Sequence, residues 1–158
     1  MTDSSDSSVS SSPDPNRCRV IGVLDDGVAS LGATALAHLR TADVVIGGAR
    51  TLALFGPELR AGDLTGHLAQ VPEWIREARD RHQRCVVLAT GDPLCHGIAP
   101  YLASRLCIEA LEILPNLSTL QLACARLGLA WQDARIVSVH ARDAGEWQTG
   151  APPSHGLY

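Results

Sequence analysis

The residues most able to do chemistry are Thr90-Gly91-Asp92-Pro93-Leu94, where a hydroxyl, a carboxylate and a bend of backbone amides follow directly on the apolar run Cys85-Val86-Val87-Leu88-Ala89. A carboxylate in such a bend accepts hydrogen bonds from ribose hydroxyls, while free amides meet a carboxylate or the edge of an adenine. In parallel α/β sheets, ligands bind outside the carboxyl ends of the strands, where loops are held by a rigid scaffold. A second candidate is Gly22-Val23-Leu24-Asp25-Asp26-Gly27. Its glycines allow a backbone to approach a ligand, with two carboxylates alongside, but the spacing is not the G-x-G-x-x-G of dinucleotide folds, and an ordinary acidic turn explains the same residues. A third is Gly47-Gly48 with Arg50. Amides at a helix start attract anions and Arg binds a carboxylate through two parallel bonds, although a plain loop with a solvated Arg has the same pattern. His140 and Arg142 follow the apolar run at 136–139, facing a site or merely marking a strand end.

Other chemistries lack their residues. His82 with Cys85, and Cys95 beside His96, do not have the regular paired spacing of structural zinc ligands, so no metal is expected. No G-x-S-x-G elbow, P-loop lysine motif or H-E-x-x-H occurs.

The elements that must position these residues alternate. Residues 18–24 form an apolar run, and Leu31, Ala35, Leu36 and Leu39 recur at helical spacing with Ser30 placed to cap. The β-branched stretch at 43–46 predicts a second strand ending at Gly47-Gly48, with a helix from about Ala49. Residues 56–66 read as loop. Val71, Trp74, Ile75 and Ala78 make a helical stripe with Pro72 and Glu73 suited to its first turn. The strand at 85–89 follows. Ile98, Leu102 and Leu106 mark a helix that tolerates Pro100 only in its first turn, and residues 108–114 predict another strand, closed by Pro115. Ser118-Thr119-Leu120-Gln121 has capping-box spacing before the stripe Leu120, Ala123, Cys124, Leu127, which Gly128 stops. A last strand is expected at 136–139. Strands alternating with helices imply an open, mainly parallel sheet with helices on both faces, wound by right-handed crossovers.

Composition bounds the partners. The 158 residues suffice for one ordinary domain and leave two cramped. Only 4% of residues are aromatic, which argues against a base-stacking platform, and the net charge of -4 offers no attraction to nucleic acid or an anionic membrane surface. Five scattered cysteines read as reduced, small hydrophobes of a cytoplasmic protein, and no apolar run approaches the roughly 20 residues of a membrane helix. Residues 1–16 are Ser, Asp and Pro with almost nothing apolar, and are expected to form a disordered tail.

Taken in order, these segments resemble the tetrapyrrole methyltransferases of cobalamin synthesis, in the branch that methylates C5 of a precorrin. The likeness runs from about Cys18 to Asp143 and rests on Val20-Ile21-Gly22-Val23-Leu24-Asp25-Asp26-Gly27, Ala42-Asp43-Val44-Val45-Ile46-Gly47-Gly48-Ala49-Arg50, residues 86–97, residues 115–127 and Trp131-Gln132-Asp133-Ala134-Arg135-Ile136-Val137-Ser138-Val139-His140-Ala141-Arg142. It implies an N-terminal methylase domain at 17–115, a linker helix and first strand of an incomplete second domain at 116–143, and an irregular tail at 144–158. It further implies S-adenosylmethionine as cofactor, touched by Thr90, Gly91, Asp92, Pro93, Leu94 and Gly97 and by Ser118 and Thr119. The tetrapyrrole would face Gly22 and Gly27, with Arg50, His140 and Arg142 pairing its carboxylates and Asp25 or Asp26 accepting a proton. A homodimer, or a separate C-terminal methyltransferase/decarboxylase partner, is implied as well. Cys95 and His96 stand where relatives usually carry two aromatic residues, and Val23-Leu24 where a second glycine is common. Two other readings stay open: a truncated or split-enzyme fragment acting as a non-catalytic binding or assembly module, and a different nucleotide-binding α/β protein.

Overall fold

In a computed structural model that describes residues 16–56 and 61–134, five strands and five helices alternate along the chain. Strand β1 is Cys18–Val23, helix α1 Ala33–Arg40, β2 Val44–Gly47, α2 Ala49–Ala53, β3 Ala61–Asp63, α3 Val71–Asp80, β4 Cys85–Thr90, α4 Ile98–Leu106, β5 Leu111–Leu114 and α5 Thr119–Leu127. The strands form one sheet in the order β3-β2-β4-β1-β5, and every pairing is parallel.

That order decides which helix covers which face. The chain moves toward the β3 edge through α1 and α2, then back toward the β5 edge through α3 and α4. Right-handed crossovers travelling in opposite directions must place their helices on opposite faces. Side-chain alternation fits. Cys18, Val20, Ile46, Cys85 and Val87 pack against Val71, Ile75 and Ala78 of α3 and Ala99 and Leu102 of α4. Their neighbours Ile21, Val23, Val45, Val86 and Leu88 pack against Ala35 and Leu39 of α1, with Leu52 of α2 beside them. Strands buried on both faces must be largely apolar, which is why β4 reads as an apolar run up to Thr90 and β1 is interrupted only by Gly22 and by Arg19, whose guanidinium pairs with Glu112. Ile21, Ile46, Ile75, Leu88 and Leu102 are fully buried, and each contributes ~1.5–3 kcal/mol of hydrophobic stabilisation. Cys18 and Cys85 lie side by side on β1 and β4 as free thiols; the hydrogen bond with Cys85, then burial, pushes the Cys18 thiol well above its ordinary range.

The expected parallel sheet with helices on both faces is observed, and three local expectations are corrected. Residues 56–66 are not all loop, because Ala61–Asp63 pairs with β2 as an edge strand; Ala-Gly-Asp has no strand preference of its own and takes its conformation from that neighbour. The strand expected over 108–114 begins only at Leu111. Cys107, at φ 67°, turns the chain, and Ile108–Ala110 forms one 3-10 turn. Ser30 does not cap a helix. Its hydroxyl accepts from the Leu24 amide and donates to the Gly27 carbonyl, closing the loop after β1, while α1 starts behind Gly32. The α5 capping box is present as expected, with the Gln121 amide donating to Ser118 Oγ (3.2 Å), the Ser118 amide to Gln121 Oε1 (2.8 Å), and Gly128 ending the helix at φ 66°. The strand expected at 136–139, the proposed tails and the rest of the segment beyond residue 134 lie outside the described residues.

At the amino-terminal edge of the sheet, Arg84 grips Asp43: Nε donates to Oδ2 (2.9 Å), Nη2 to Oδ1 (3.0 Å), and the Arg84 backbone amide to Oδ2 (2.8 Å). The Arg84 side-chain bonds, then its backbone bond, lower the Asp43 carboxyl from 3.8 to about 2. A depressed carboxylate pKa adds stability that is fully present above the unfolded value and lost as pH falls through the folded one, here between about pH 4 and 2. A side-chain NMR titration of Asp43 is therefore expected to give a midpoint near 2, and one at the ordinary 3.8 would show that the pair does not form.

Candidate functional site

Because all five strands run the same way, their carboxyl ends share one edge, and each candidate loop leaves from it. The loops after β1 and β4 lie side by side. The Gly91 amide donates to the Val23 carbonyl (2.8 Å), which ties the bend at 91–94 to the last residue of β1. The loop after β5 joins them through Asn116, whose Nδ2 donates to the carbonyls of Gly22 (3.2 Å) and Ser30 (3.0 Å) while its Oδ1 accepts from the Leu117 amide (2.9 Å).

Gly22 sits at the centre of this junction. A Cβ there would collide with the Gly91 carbonyl oxygen and stand 2.7 Å from the Asn116 nitrogen. The side-chain space of Gly22 is filled by protein, and its glycine identity serves the approach of three chain segments. Gly91 needs glycine as well. Its φ is 67°, and its open side lies against Leu117–Thr119, with a Cβ falling 3.2 Å from the Leu117 carbonyl oxygen and 3.8 Å from the Thr119 nitrogen. The bend at 91–94 and the start of α5, singled out separately in the sequence, are thus neighbours.

Within the bend, the Asp92 Oδ1 accepts from the Leu94 amide (2.8 Å) and the Asp92 carbonyl from the Cys95 amide (3.1 Å), a side-chain-stabilised turn. Oδ2 has no partner among the described residues. Pro93 is fully buried, its carbonyl accepts from the Ala99 amide (3.0 Å), and a Cβ on Gly97 would strike that same carbonyl. Pro93 and Gly97 therefore build the bend, whereas Thr90 and Leu94 are exposed on it. His96 is exposed with φ 55°, and Cys95 is half-buried.

Asp25 and Asp26, two and three residues beyond β1, are exposed; the Asp26 carbonyl accepts from the Ala29 amide (3.2 Å), but neither carboxylate has a hydrogen-bond or ion-pair partner among the described residues. Gly27 is buried at φ 59°, and a Cβ there would fall 2.7 Å from the Leu54 carbonyl oxygen. Arg50 is exposed on α2 and likewise has no partner among the described residues. The start of α2 is held by the Ala49 amide donating to Thr65 Oγ1 (3.1 Å); the hydrogen bonds of Thr65, side chain first, keep the Asp63 carboxyl below its ordinary value. Ser118 is buried in its capping box, so its hydroxyl is engaged, whereas Thr119 is exposed. Val28, Leu94 and Leu117 are 45%, 53% and 46% exposed and give this edge an apolar rim. His140 and Arg142 lie outside the described residues.

Two residues that sequence reasoning passed over belong to the site. Asn116 follows the strand-closing Pro115, a position where an amide commonly serves a turn, and that was its only signal. Thr51 is buried in α2, and its Oγ1 lies 3.2 Å from Thr90 Oγ1. Nothing in the sequence marks it, since a helical threonine ordinarily bonds the preceding turn of its own helix.

Residues 18–155 match the family model of the tetrapyrrole (corrin/porphyrin) methylases. The chain is 41% identical over 124 residues to a precorrin-6Y C(5,15)-methyltransferase [decarboxylating] of Sinorhizobium sp, covering 78% of this chain and 30% of that protein. It is 35% identical over 127 residues to a cobalt-precorrin-7 C(5)-methyltransferase of Salmonella typhimurium, covering 78% and 61%. The chain thus spans less than two thirds of the length of either relative. In fold it resembles the crystal structure of a cobalamin-biosynthesis precorrin-6Y methylase from Archaeoglobus fulgidus, at 22% identity and a TM-score of 0.66, over 78% of this chain and 64% of that one.

The Gly22 junction makes a direct prediction. Gly22→Ala forces backbone atoms apart and is expected to destabilise the domain by about 1–3 kcal/mol, with amide NMR shifts concentrated at 90–92 and 116–118. Unchanged urea stability and an unchanged spectrum there would remove the junction from the account.

Proposed function

The chain belongs to the tetrapyrrole (corrin/porphyrin) methylases, and on that premise we propose that its strand-end site takes S-adenosylmethionine and serves methylation at C5 of a precorrin in cobalamin biosynthesis. The observation that carries this reading is the adjacency of the 91–94 bend, the β1 loop and the start of α5, locked by the Gly22 junction. The groups left free there suit the ligand: Asp92 Oδ2 can accept from ribose hydroxyls, and the exposed Thr90 hydroxyl and Thr119 offer further polar contacts. When bound, S-adenosylmethionine supplies a methyl on a positive sulfur; the S–C bond breaks with its electron pair left on sulfur as the methyl bonds to a ring carbon.

Such an in-line displacement asks the protein mainly for alignment and exclusion of water. Two junction glycines and a fully bonded Asn116 give the bend a fixed position, which is what alignment requires. Val28, Leu94 and Leu117 offer apolar surface to a macrocycle. Arg50 pairs with a peripheral carboxylate of the acceptor, and Asp25 or Asp26 accepts the proton lost from the methylated carbon. His140 and Arg142 are assigned the same carboxylate-pairing role as Arg50, on the family resemblance alone. In this reading the cleft gains its second wall either from chain beyond the described residues, from a second copy or from a separate C-terminal methyltransferase/decarboxylase partner, and the enzyme works in the cytoplasm. No helix among the described residues is long and apolar enough to cross a membrane.

The other reading, a binding or assembly module without its own turnover, differs from the first in what the isolated chain binds. Titration calorimetry separates the two. The enzyme reading expects 1:1 binding of S-adenosylmethionine by this chain, with NMR shifts at 90–97 and 118–119. Binding seen only after a partner is added supports the module, and binding that leaves those loops unmoved sinks the proposed site.

A further inference from the structure

The mechanism above uses Thr90 but not the residue behind it. Thr51 is a buried hydroxyl, 7% exposed, on the same sheet face as Thr90, and the two Oγ1 atoms are 3.2 Å apart. Neither hydroxyl has another hydrogen-bond partner among the described residues. Two protons are therefore shared between one contact and whatever lies outside it, and the direction of the bond follows from burial. If Thr90 donated to Thr51, the Thr51 proton would be left buried with no acceptor, a costly arrangement that proteins avoid. If Thr51 donates, the proton left over belongs to Thr90, which is exposed at the end of β4 beside Gly91. Only the second arrangement satisfies the buried group.

We infer that Thr51 is a positioning residue that fixes the Thr90 hydroxyl as a hydrogen-bond donor directed at an acceptor atom of the bound methyl donor. Without Thr51, the Thr90 hydroxyl rotates freely and meets water as readily as ligand. With it, one lone pair is occupied and the proton is kept off that position, so the hydroxyl has less rotational freedom to lose on binding. The device also reaches α2, because Thr51 follows Arg50 directly in the helix; the strand end and the helix carrying the proposed carboxylate-binding Arg are thereby joined.

This inference rests on the proposed S-adenosylmethionine site, and its test separates the two. In the free protein, a stability cycle of Thr51→Val, Thr90→Val and the double variant is expected to show coupling, because either single change breaks the same bond. In calorimetry, Thr51→Val is expected to weaken S-adenosylmethionine binding by roughly three- to tenfold, and Thr51→Ser, which keeps the hydroxyl, to restore it to within about twofold of the parent. Additive stabilities, undiminished binding by Thr51→Val, or a Thr51→Ser variant as weak as Thr51→Val would each overturn the positioning role while leaving the donor site intact. A parent chain that binds no S-adenosylmethionine alone or with a partner overturns the donor site itself, and the ligand-directed role of Thr51 with it.

Discussion

The absence of a side chain at Gly22 is the constraint on which the carboxyl-end edge of the sheet depends. Three segments far apart in sequence, ending at Val23, beginning at Gly91 and turning at Asn116, crowd the space that a side chain at Gly22 would need. Hydrogen bonds then fasten what the missing Cβ allows: the Gly91 amide to the Val23 carbonyl, and the Asn116 amide group to the carbonyls of Gly22 and Ser30. A parallel sheet brings strand ends to a common edge, but it does not bring the loops beyond them into contact. In this chain the glycine does, and the start of α5 arrives beside the bend at 91–94 as a result.

Around that junction the polar groups divide into those used up by the fold and those left free. Asn116, Ser30 and Ser118 spend their side chains on backbone partners and build the frame. Asp25, Asp26, Arg50 and the outer oxygen of Asp92 are accessible and have no partner among the described residues, so their hydrogen-bonding capacity stays available to a ligand. At the opposite edge the pattern is reversed: Asp43 and Arg84 satisfy each other through three bonds and carry register, not chemistry. One edge of the sheet thus keeps polar groups free, and the other carries a structural clasp.

Much of the framework is legible in the residue pattern. The mainly apolar runs at β1 and β4, the stripe of α3 and the capping box of α5 each follow from local chemistry, and so their elements form where expected. Local pattern fails where a neighbour dictates the conformation. Ala61–Asp63 is a strand only because β2 is beside it, and residues 108–110 leave the strand because Cys107 turns the chain.

The sequence by itself determined the parallel α/β class, the bend at 90–94 and the family likeness, because all three are written in residue order along single segments. Only the tertiary structure decided that Gly22 is filled by protein, that Ser30 closes a loop instead of capping a helix, and that Asn116 and Thr51 stand behind the site. The physical reason is mainly range: periodicity and capping act over a few residues, whereas the roles of Gly22, Asn116 and Thr51 arise from contacts between chain segments 39 to 94 residues apart, which no local pattern encodes, and Ser30 bonds locally but to its own loop, a choice that cap spacing does not reveal.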